Sequence, residues 1–412
     1  MKCYDVAVIG GGAAGTMAAI RASQLKKSVL LVERNDAIGR KILLTGKGRC
    51  NVTNAAPIDT FIEKFGRHGR FLRTAFTAFS NDDLIDLFRS TGLEMKIERQ
   101  GRVFPVTDRS RSVIEALKKR LEENGVEVLC NARAGNISAG DGLFRIDLGE
   151  AGKATAKKVI LATGGASYKE TGSTGDGFSI AGRFGHRIEP LKPALVPLVT
   201  KERWVKELQG LSLENIRLTF RFGNNKIVSD IGEFIFTHFG VSGPLVLDLS
   251  GDIVTVLDGH KEIMLFIDLK PGLTAEQLEK RLLNEFKAGG SARLKSIMKG
   301  LMPQRLITVF LDLSGADPDR KGSRVTQDER RAMIRTFKAF PLTVTGSLPI
   351  EEAMVTGGGI STKEIDPRTM GSRIVPGLYF AGEIIEGAAS SGGYNLQQAF
   401  STGYLAGESA AR

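Results

Sequence analysis

Three glycines near the start of the chain have the spacing that a phosphate-binding turn requires. They follow the apolar run 6–9 in the order Gly10-x-Gly12-x-x-Gly15. Gly10 permits a tight turn, Gly12 lets the backbone approach a pyrophosphate, and Gly15 lets a helix pack close to the strand. The N-terminus of that helix would offer free N–H groups and a partial positive charge to phosphates. An ordinary glycine turn is the alternative, and the context decides between the two.

A carboxylate follows this turn at the distance typical of a ribose ligand. Residues 13–25 predict a helix, and the apolar run 29–32 predicts a second strand that ends on Glu33. In dinucleotide-binding units an acidic residue about 20 positions beyond the glycines accepts hydrogen bonds from the ribose. The two features together predict a nucleotide site.

A polar loop between residues 39 and 54 has the side chains for chemistry. Arg49, Cys50, Asn51 and Asn54 stand close together near its end. Functional residues lie on loops more often than on regular elements. Because the loop follows the acid of the second strand, we expect it to pass the pyrophosphate and return toward the reactive ring of a cofactor.

Two later stretches repeat the strand–turn–helix style. The apolar run 159–165 ends in Ala-Thr-Gly-Gly, and Asp176 is placed to cap a helix that reaches about residue 184. The run 377–383 ends in Ala-Gly-Glu, and a glycine turn then opens the final helix, which predicts another anion site. One extended cofactor held at both ends explains this arrangement, and FAD fits it better than NAD.

The residues predicted to bind this cofactor all lie in these stretches. They are Gly10, Gly12, Ala13, Ala14, Gly15, Glu33, Arg34, Arg40, Lys41, Gly48, Arg49, Asn51, Thr53, Ala162, Thr163, Gly164, Asp176, Gly382, Glu383, Gly393, Tyr394, Asn395 and Leu396. For Arg49 and Asn51 a purely structural role in the loop is the rival interpretation.

The composition and the hydrophobic pattern change in the middle of the chain, and this change predicts an insertion. Short β-rich runs between 191 and 272, among them 253–256, indicate a small antiparallel sheet or barrel. Residues 273–340 turn helical, with capping-box patterns at Thr274 and Thr326. We therefore predict an α/β fold, described by three parts. They are a Rossmann-like FAD-binding domain from 1–190 and 355–412, a β-barrel-like insert from 191–272 and 341–354, and a helical insert at 273–340.

Composition excludes several classes of protein. The chain has 412 residues, of which 42% are hydrophobic and 25% charged, as is ordinary for a globular protein. No apolar run approaches the ~18 residues that span a membrane, and the first strand starts too early for a signal peptide. Three widely spaced cysteines and four scattered histidines form neither a disulfide framework nor a metal pattern. We expect a cytoplasmic protein without a membrane partner and without a metal.

The formal charge of +11 favours approach to polyanions such as RNA. Basic residues concentrate in three clusters. The first is Arg67, His68, Arg70 and Arg73; the second is Arg109, Arg111, Lys118, Lys119 and Arg120; the third is Arg320, Lys321, Arg324, Arg330, Arg331, Arg335 and Lys338. Solvated helix faces explain these clusters as well as nucleic-acid binding does.

Specific strings give the chain a family resemblance. They are residues 10–15, the string GKGRCNVTN at 46–54, 162–177, FTHFGVSGP at 236–244, and 376–398. With them the chain resembles, over nearly its full length, the bacterial BaiN/RdsA family of FAD-dependent oxidoreductases, also labelled the aminoacetone oxidase family. That family has an FAD-binding Rossmann-like domain interrupted by a β-barrel and a small helical domain. The chain departs from the family at Lys47, where glycine is often found, and at Lys169, where proline is often found. It also departs at 384–390, where the family is usually more acidic, and by this resemblance these residues should lie beside the flavin and bear on substrate choice.

The resemblance implies reduction of a conjugated C=C bond. Hydride would pass from the flavin to the β-carbon and a proton to the α-carbon, with NAD(P)H as the electron donor that binds transiently. Family members are linked to dihydrouridine formation in ribosomal RNA and to reduction of unsaturated steroid ketones. The positive charge favours uridine in ribosomal RNA. A small unsaturated, steroid-like ketone is the first alternative, and a flavin-bearing RNA-binding protein without turnover is the second.

Two residues are candidates for direct roles in catalysis. Cys50 is the candidate proton donor, because its loop is expected near the flavin ring; its alternative role is simple packing. His238 is a candidate hydrogen-bond donor, with a core or interface position as its alternative. Tyr394 and Asn395 are expected to touch flavin rather than substrate. The sequence does not specify an oligomeric state.

Overall fold

The computed structural model describes residues 2–412. The elements up to residue 194 are β1 (Cys3–Ile9), α1 (Ala13–Gln24), β2 (Val29–Val32), α2 (Arg40–Leu44), β3 (Thr53–Asn54), α3 (Ile58–Lys64), α4 (Gly69–Ala78), α5 (Asn81–Ser90), β4 (Met95–Ile97), β5 (Arg102–Pro105), α6 (Ser110–Glu123), β6 (Glu127–Leu129), β7 (Asn136–Gly140), β8 (Leu143–Asp147), β9 (Lys153–Leu161), α7 (Asp176–Arg183) and β10 (Ile188–Ala194). Those from 195 to 348 are β11 (Leu198–Thr200), β12 (Ser212–Phe222), β13 (Asn225–Phe236), β14 (Gly240–Ser242), α8 (Pro244–Leu257), β15 (Ile263–Asp268), α9 (Ala275–Gly289), α10 (Leu294–Ile297), α11 (Gln304–Ser314), α12 (Gln327–Lys338) and β16 (Phe340–Ser347). The remainder are β17 (Val355–Ile360), β18 (Leu378–Phe380) and α13 (Tyr394–Ala411).

A mainly parallel sheet carries the N-terminal glycine turn. Its order is β6-β2-β1-β9-β8-β7, with β18 pairing on β9. β1 lies between β2 and β9 and is parallel to both, while β7 and β8 add an antiparallel hairpin. All of β2 and residues 6–9 of β1 are buried, as expected for parallel strands covered on both faces. Ligands bind outside the carboxyl ends of such strands, where the strand order reverses, and β1 is at that point.

Close helix packing joins the two chain ends within this unit. In α13, a Cβ at Gly403 would lie 2.2 Å from the Ala14 carbonyl oxygen, and one at Gly407 would lie 2.3 Å from the Ala18 carbonyl oxygen. Only glycine allows α13 to approach the backbone of α1 so closely. The helix after the glycine turn and the C-terminal helix therefore pack with almost no side chain between them.

The chain divides into two units, Met1–Ala194 with Pro349–Arg412, and Leu195–Leu348. The antiparallel ribbon of β10 and β17, with Ala194 opposite Val355, marks where the chain leaves the first unit and returns to it. The sequence-based boundaries at 190 and 355 fall within this ribbon. The helices α9–α12 share one buried core with the barrel strands, so that the structure groups the two predicted inserts in one unit.

The second unit contains a closed six-stranded barrel of order β11-β14-β13-β12-β15-β16, in which β16 pairs again with β11. With the Rossmann-like sheet it confirms the predicted fold class. The capping boxes at Thr274 and Thr326 are both formed. The prediction of a strand at 253–256 is wrong, because these residues belong to α8. Pro244 begins that helix, and the buried positions Leu245, Val246, Ser250 and Ile253 lie on one helical face.

Candidate cofactor and active site

The glycine turn has the geometry that its spacing predicts. Gly10 has φ +107°, and a Cβ there would lie 2.4 Å from the Ala162 carbonyl oxygen. A Cβ at Gly15 would lie 1.8 Å from the Gly10 carbonyl oxygen, so Gly15 serves helix–strand packing. At Gly12 no atom of the described residues comes within 4 Å of the Cβ position, because this glycine faces a cavity. The turn thus leaves open backbone where a pyrophosphate would approach.

Glu33 lies buried beside this turn at the end of β2. Its Oε2 accepts the Gly11 N–H at 2.8 Å, and its Oε1 accepts the backbone N–H and the side-chain N–H of Asn35, both at 2.8 Å. A carboxylate has about four acceptor positions, so one remains for a hydroxyl. The side chain lines the cavity, which agrees with the predicted ribose contact.

A charged group joins three segments at this side of the cavity. Arg133 binds the Asp176 carboxylate through Nε at 2.7 Å and Nη2 at 3.0 Å, and Arg34 Nη1 lies 3.2 Å from the same carboxylate. The hydrogen bonds from Arg133 hold the pKa of Asp176 below its usual range. The prediction that Asp176 caps a helix is wrong, since Gly175 is the N-cap and Asp176 is the first helical residue. Its carboxylate serves the two arginines instead.

A second charged group contains Glu383, whose pKa stays lowered despite burial because Lys41 stabilises the carboxylate. Lys41 Nζ lies 2.7 Å from Glu383 Oε2. The other oxygen accepts the Ser167 hydroxyl at 3.0 Å and the Thr356 N–H at 2.8 Å. Lys41 and Glu383 both line the cavity. The helix α2 and the segment after β18 therefore meet there as an ion pair.

The start of α13 contributes a second helix N-terminus to the cavity. Its N-cap is Gly393, with φ +98°, and like α1 it has no capping side chain. The Asn395 side chain accepts the Ala389 N–H at 2.9 Å and donates to the Ala389 carbonyl oxygen at 3.0 Å, which fixes the loop before the helix. Asn395 and Leu396 line the cavity. The first N–H groups of a helix have no intrahelical acceptor.

The residues present fit an FAD molecule. The cavity meets two uncapped helix N-termini, an open backbone at Gly12 and a buried carboxylate at Glu33. Thr163 lines the same cavity, and its buried hydroxyl has no hydrogen-bond partner in the described chain. An unsatisfied buried hydroxyl costs free energy, so that a bound polar group would stabilise it.

Most predicted cofactor residues come together in this one cavity. Those that line it are Gly10, Gly12, Ala13, Ala14, Glu33, Arg34, Arg40, Lys41, Ala162, Thr163, Gly164, Asp176, Gly382, Glu383, Asn395 and Leu396. Those that the structure places elsewhere are Gly15, Gly48, Arg49, Asn51, Thr53, Gly393 and Tyr394.

The loop residues of this second set have structural roles. Arg49 forms ion pairs with Glu98 and Asp108, and its guanidinium stacks over the Phe104 ring at 4.1 Å. Asn51 Oδ1 accepts the Val103 N–H at 3.1 Å. Direct cofactor contacts by Arg49 and Asn51 are therefore not supported, because their polar atoms hold the loop to the β3–β5–β4 sheet.

The other members of the set support the lining rather than form it. Thr53 is buried in β3, and Tyr394 packs edge-on against Phe61 at 4.9 Å between ring centres. A Cβ at Gly393 would lie 2.3 Å from the Thr53 carbonyl oxygen, so glycine allows β3 to approach the start of α13. Gly48 adopts φ +83° in the turn before Cys50.

The structure corrects the prediction that Cys50 meets a substrate. Its side chain is fully buried in the core of the first unit and is not part of the cavity lining. Burial raises the pKa of the Cys50 thiol to about 12, and a hydrogen bond with Thr45 offsets this only in part. The thiol lies in the buried core behind Thr45 and does not line the cavity, so packing is the role that the structure supports.

His238 lies in the second unit, on the exposed turn between β13 and β14. Its ring packs edge-on against Phe239, with 4.8 Å between ring centres. It is therefore neither a core histidine nor a member of the cavity lining in the first unit.

Several lining residues escaped the sequence prediction. Ala132, Arg133 and Ala134 follow β6, and Thr171, Gly172 and Ser173 precede α7. The carboxyl end of β6 is next to that of β2, so strand order would have identified the first group. The second group could not be recognised in the same way, because small residues that line a cavity with their backbone show no characteristic side-chain pattern in the sequence.

Two further properties concern the described residues as a whole. Residues 2–412 contain no group of histidine, cysteine or acidic side chains arranged to hold a metal ion. None of the helices resolved in this part of the chain is long and apolar enough to cross a membrane.

Comparisons with known proteins extend these observations. A family model described as the HI0933-like protein Rossmann domain matches residues 4–409. The 3-dehydro-bile acid delta(4,6)-reductase of Clostridium scindens is 34% identical over 410 residues, 98% of each chain. The ribosomal RNA dihydrouridine synthase of Escherichia coli is 30% identical over 412 residues, 98% of this chain and 97% of the relative. The 3-ketosteroid delta1-dehydrogenase of Sterolibacterium denitrificans has a similar fold, with a TM-score of 0.57, 14% identity and 100% coverage of both chains.

Proposed function

Because this chain belongs to the HI0933-like Rossmann family and is an FAD-dependent oxidoreductase, we propose that it reduces uridine to dihydrouridine in ribosomal RNA. Bound FAD would supply the hydride for the conjugated C=C bond. NAD(P)H is the proposed electron donor and the cytoplasm the proposed compartment. What remains for the chain is to hold the cofactor, to orient the base and to polarise its carbonyl group.

Different residues of the chain would hold the two halves of FAD. The turn at Gly12 and the start of α1 would hold the pyrophosphate, and Glu33 the adenosine ribose. The Lys41–Glu383 pair and the start of α13 would hold the flavin half. The hydroxyl of Thr163 would gain its missing partner from the cofactor.

The choice of RNA as the proposed substrate rests on exposed basic side chains near the cavity. Arg111 and Lys118 are exposed on α6, whose Ile114 packs against Gly39 of the lining. Arg67 and Arg70, also exposed, stand in or beside α4. None of these side chains lines the cavity, but Arg67 pairs with Glu386, the residue before Gly387 of the lining. Two basic segments next to the lining suit a polyanion better than a small ketone, since Lys and Arg attract phosphates over a long range.

A small unsaturated ketone is the second candidate substrate. The relative from Clostridium scindens, named as a bile acid reductase, is more identical to this chain than the ribosomal RNA synthase is. The cavity lining also includes apolar side chains such as Ile9, Ile42 and Leu396. A binding protein without turnover is not favoured, because both relatives are named as enzymes.

The decisive experiment expresses this chain in an E. coli strain that lacks its own ribosomal RNA dihydrouridine synthase. Mass spectrometry of the ribosomal RNA should show dihydrouridine again, and the Gly12→Ala variant, in which FAD binding is weakened, is the matched control and should restore less. In parallel, the purified holoenzyme is reduced anaerobically with NADPH and mixed with ribosomal RNA or with an unsaturated 3-keto bile acid. Reoxidation by RNA that weakens steeply as salt rises supports the proposal. Salt-insensitive reoxidation by the bile acid alone would favour the second candidate.

A further inference from the structure

The outer face of three barrel strands in the second unit combines positive charge with exposed apolar side chains. We call it the basic barrel face, and the six residues that define it are Arg217 and Arg221 on β12, Lys226, Val228 and Ile231 on β13, and Met264 on β15. All six are exposed, whereas the alternate positions 216, 218 and 220 of β12 are buried in the barrel core. None of the six lines the cavity described above.

Strand pairing makes these residues direct neighbours. Arg221 pairs with Lys226 of β13 on one side and with Met264 of β15 on the other. Arg217 pairs with Ile231 of β13. Directly opposed residues of antiparallel strands have Cβ atoms about 4.5–5.5 Å apart on the same face of the sheet. Each arginine therefore stands beside an exposed apolar side chain.

The positive charge of this face is not neutralised by the chain itself. None of its three cations forms an ion pair within residues 2–412. Asp268 lies opposite Arg217 on β15, but its carboxylate is bound by Lys338, with 2.6 Å between Nζ and Oδ2. The exposed Asp230 of β13 offsets only one of the three positive charges. The face is therefore free to attract a polyanion.

Exposed apolar side chains distinguish this face from an ordinary solvated surface. Among the described residues 195–348, four large hydrophobic side chains are exposed, and three of them belong to the basic barrel face, with exposed fractions between 39% and 48%. The guanidinium of Arg221 lies over the half-buried Phe266 ring, with Cζ 5.3 Å from the ring centre. Guanidinium planes and aromatic rings are the surfaces on which unpaired bases stack.

We propose that the basic barrel face binds unpaired nucleotides of the RNA substrate, as a docking surface separate from the cavity. This inference rests on the proposed reduction of uridine in ribosomal RNA. The three cations would contact phosphates, while the Arg221 guanidinium and the exposed apolar side chains would contact bases. The charge favours nucleic acid over a neutral ligand. The apolar contacts favour single-stranded RNA over a duplex, whose bases are stacked inside the helix.

Two double variants with the same change in charge test the docking surface in the holoenzyme. Arg217→Gln with Arg221→Gln removes two cations from the face, and Arg331→Gln with Arg335→Gln removes two exposed cations from α12. Fluorescence anisotropy measures the affinity for a short labelled oligouridine. We expect the first pair of substitutions to weaken binding about tenfold or more and the second pair less than about twofold.

The salt dependence separates phosphate contacts from base contacts. Each phosphate contact with a single strand adds about 0.7 to the slope of log affinity against log salt, so the pair at Arg217 and Arg221 should reduce this slope by about 1.4. Val228→Ser with Met264→Ser should weaken binding about threefold and leave the slope unchanged. Flavin reduction by NADPH should stay unchanged in every variant, and thermal unfolding confirms that each one folds.

The possible outcomes distinguish the docking surface from the proposed reaction. Equal losses of affinity in the two arginine pairs overturn the docking surface, because net charge alone would then explain binding. Binding to phosphatidylserine vesicles without binding to oligouridine overturns it too. A wild type that reduces uridine while the pair at Arg217 and Arg221 binds RNA normally overturns the docking surface alone. A wild type that binds RNA through this face but reduces no uridine overturns the proposed function alone. If a variant does not fold, photo-cross-linking of the wild type to a 4-thiouridine oligonucleotide decides, and labelling outside 212–236 and 263–268 overturns the inference.

Discussion

Lys41 and Glu383 meet as an ion pair at 2.7 Å although 342 positions separate them in the chain. Their side chains are 24% and 18% exposed, so that both charges are largely removed from water. The pair connects α2 to the segment after β18 at the cavity. It links the two parts of the sequence that the proposed cofactor would span.

Removing one partner of this pair should destabilise the first unit. We expect Lys41→Met to lower the free energy of unfolding by about 2–4 kcal/mol, because it leaves the Glu383 carboxylate buried without a cation. Chemical denaturation of the apoprotein measures this. The control Lys169→Met breaks the exposed pair with Glu351 and should leave the unfolding midpoint almost unchanged. Equal losses in both variants would contradict the special role of the buried pair.

Substituting alanine at Gly15 should lower protein stability, whereas substituting it at Gly12 should lower FAD affinity. Gly15→Ala places a methyl group against the Gly10 carbonyl oxygen, so we expect a loss of about 2 kcal/mol or more in apoprotein stability. Gly12→Ala meets no protein atom and should leave that stability unchanged, while FAD affinity falls at least about tenfold. Thermal unfolding and quenching of flavin fluorescence measure the two quantities. Unchanged FAD affinity in Gly12→Ala would contradict the assigned pyrophosphate position.

The three cysteines should react at very different rates in the native protein. Cys3 is exposed and Cys130 half-buried, whereas burial holds the thiol of Cys50 in its protonated, unreactive form with a pKa of about 12. A disulfide reagent at pH 8 should therefore label Cys3 first, Cys130 more slowly because burial raises its pKa, and Cys50 only after unfolding. Peptide mapping identifies the protected residue. Rapid native labelling of Cys50 would restore it as a candidate for contact with substrate.

Acid should weaken the first unit through His186. Burial lowers its pKa, and the Glu364 carboxylate at 3.2 Å opposes this shift only in part. The unfolded chain takes up a proton near pH 6.5 before the folded protein does, so stability falls as pH decreases through and below this value. Denaturation from pH 7.5 to 5.0 should show a smaller decline in His186→Gln. The exposed His260→Gln is the control and should follow the wild type.

The local parts of the site could be predicted from sequence, and the parts set by tertiary packing could not. Glycine spacing and strand ends indicated Gly12, Glu33 and Asn395, because each depends on a few neighbouring residues. Cys50 looked reactive in its polar loop, but only the fold shows that its side chain enters the core. All four residues of the run 253–256 are β-branched and therefore suggested a strand. In the fold they belong to the helix α8, whose buried face is set by tertiary packing.

The glycine contacts between α1 and α13 also set an order of events during synthesis. The turn at Gly12 emerges early, but the helix that packs on Ala14 and Ala18 begins at Tyr394. At about 5–20 residues per second, roughly 20–75 s separate the two segments. During that interval the small-residue face of α1 has no partner, and half of the nucleotide site is missing. The complete FAD site would therefore form only in chains that already contain α13.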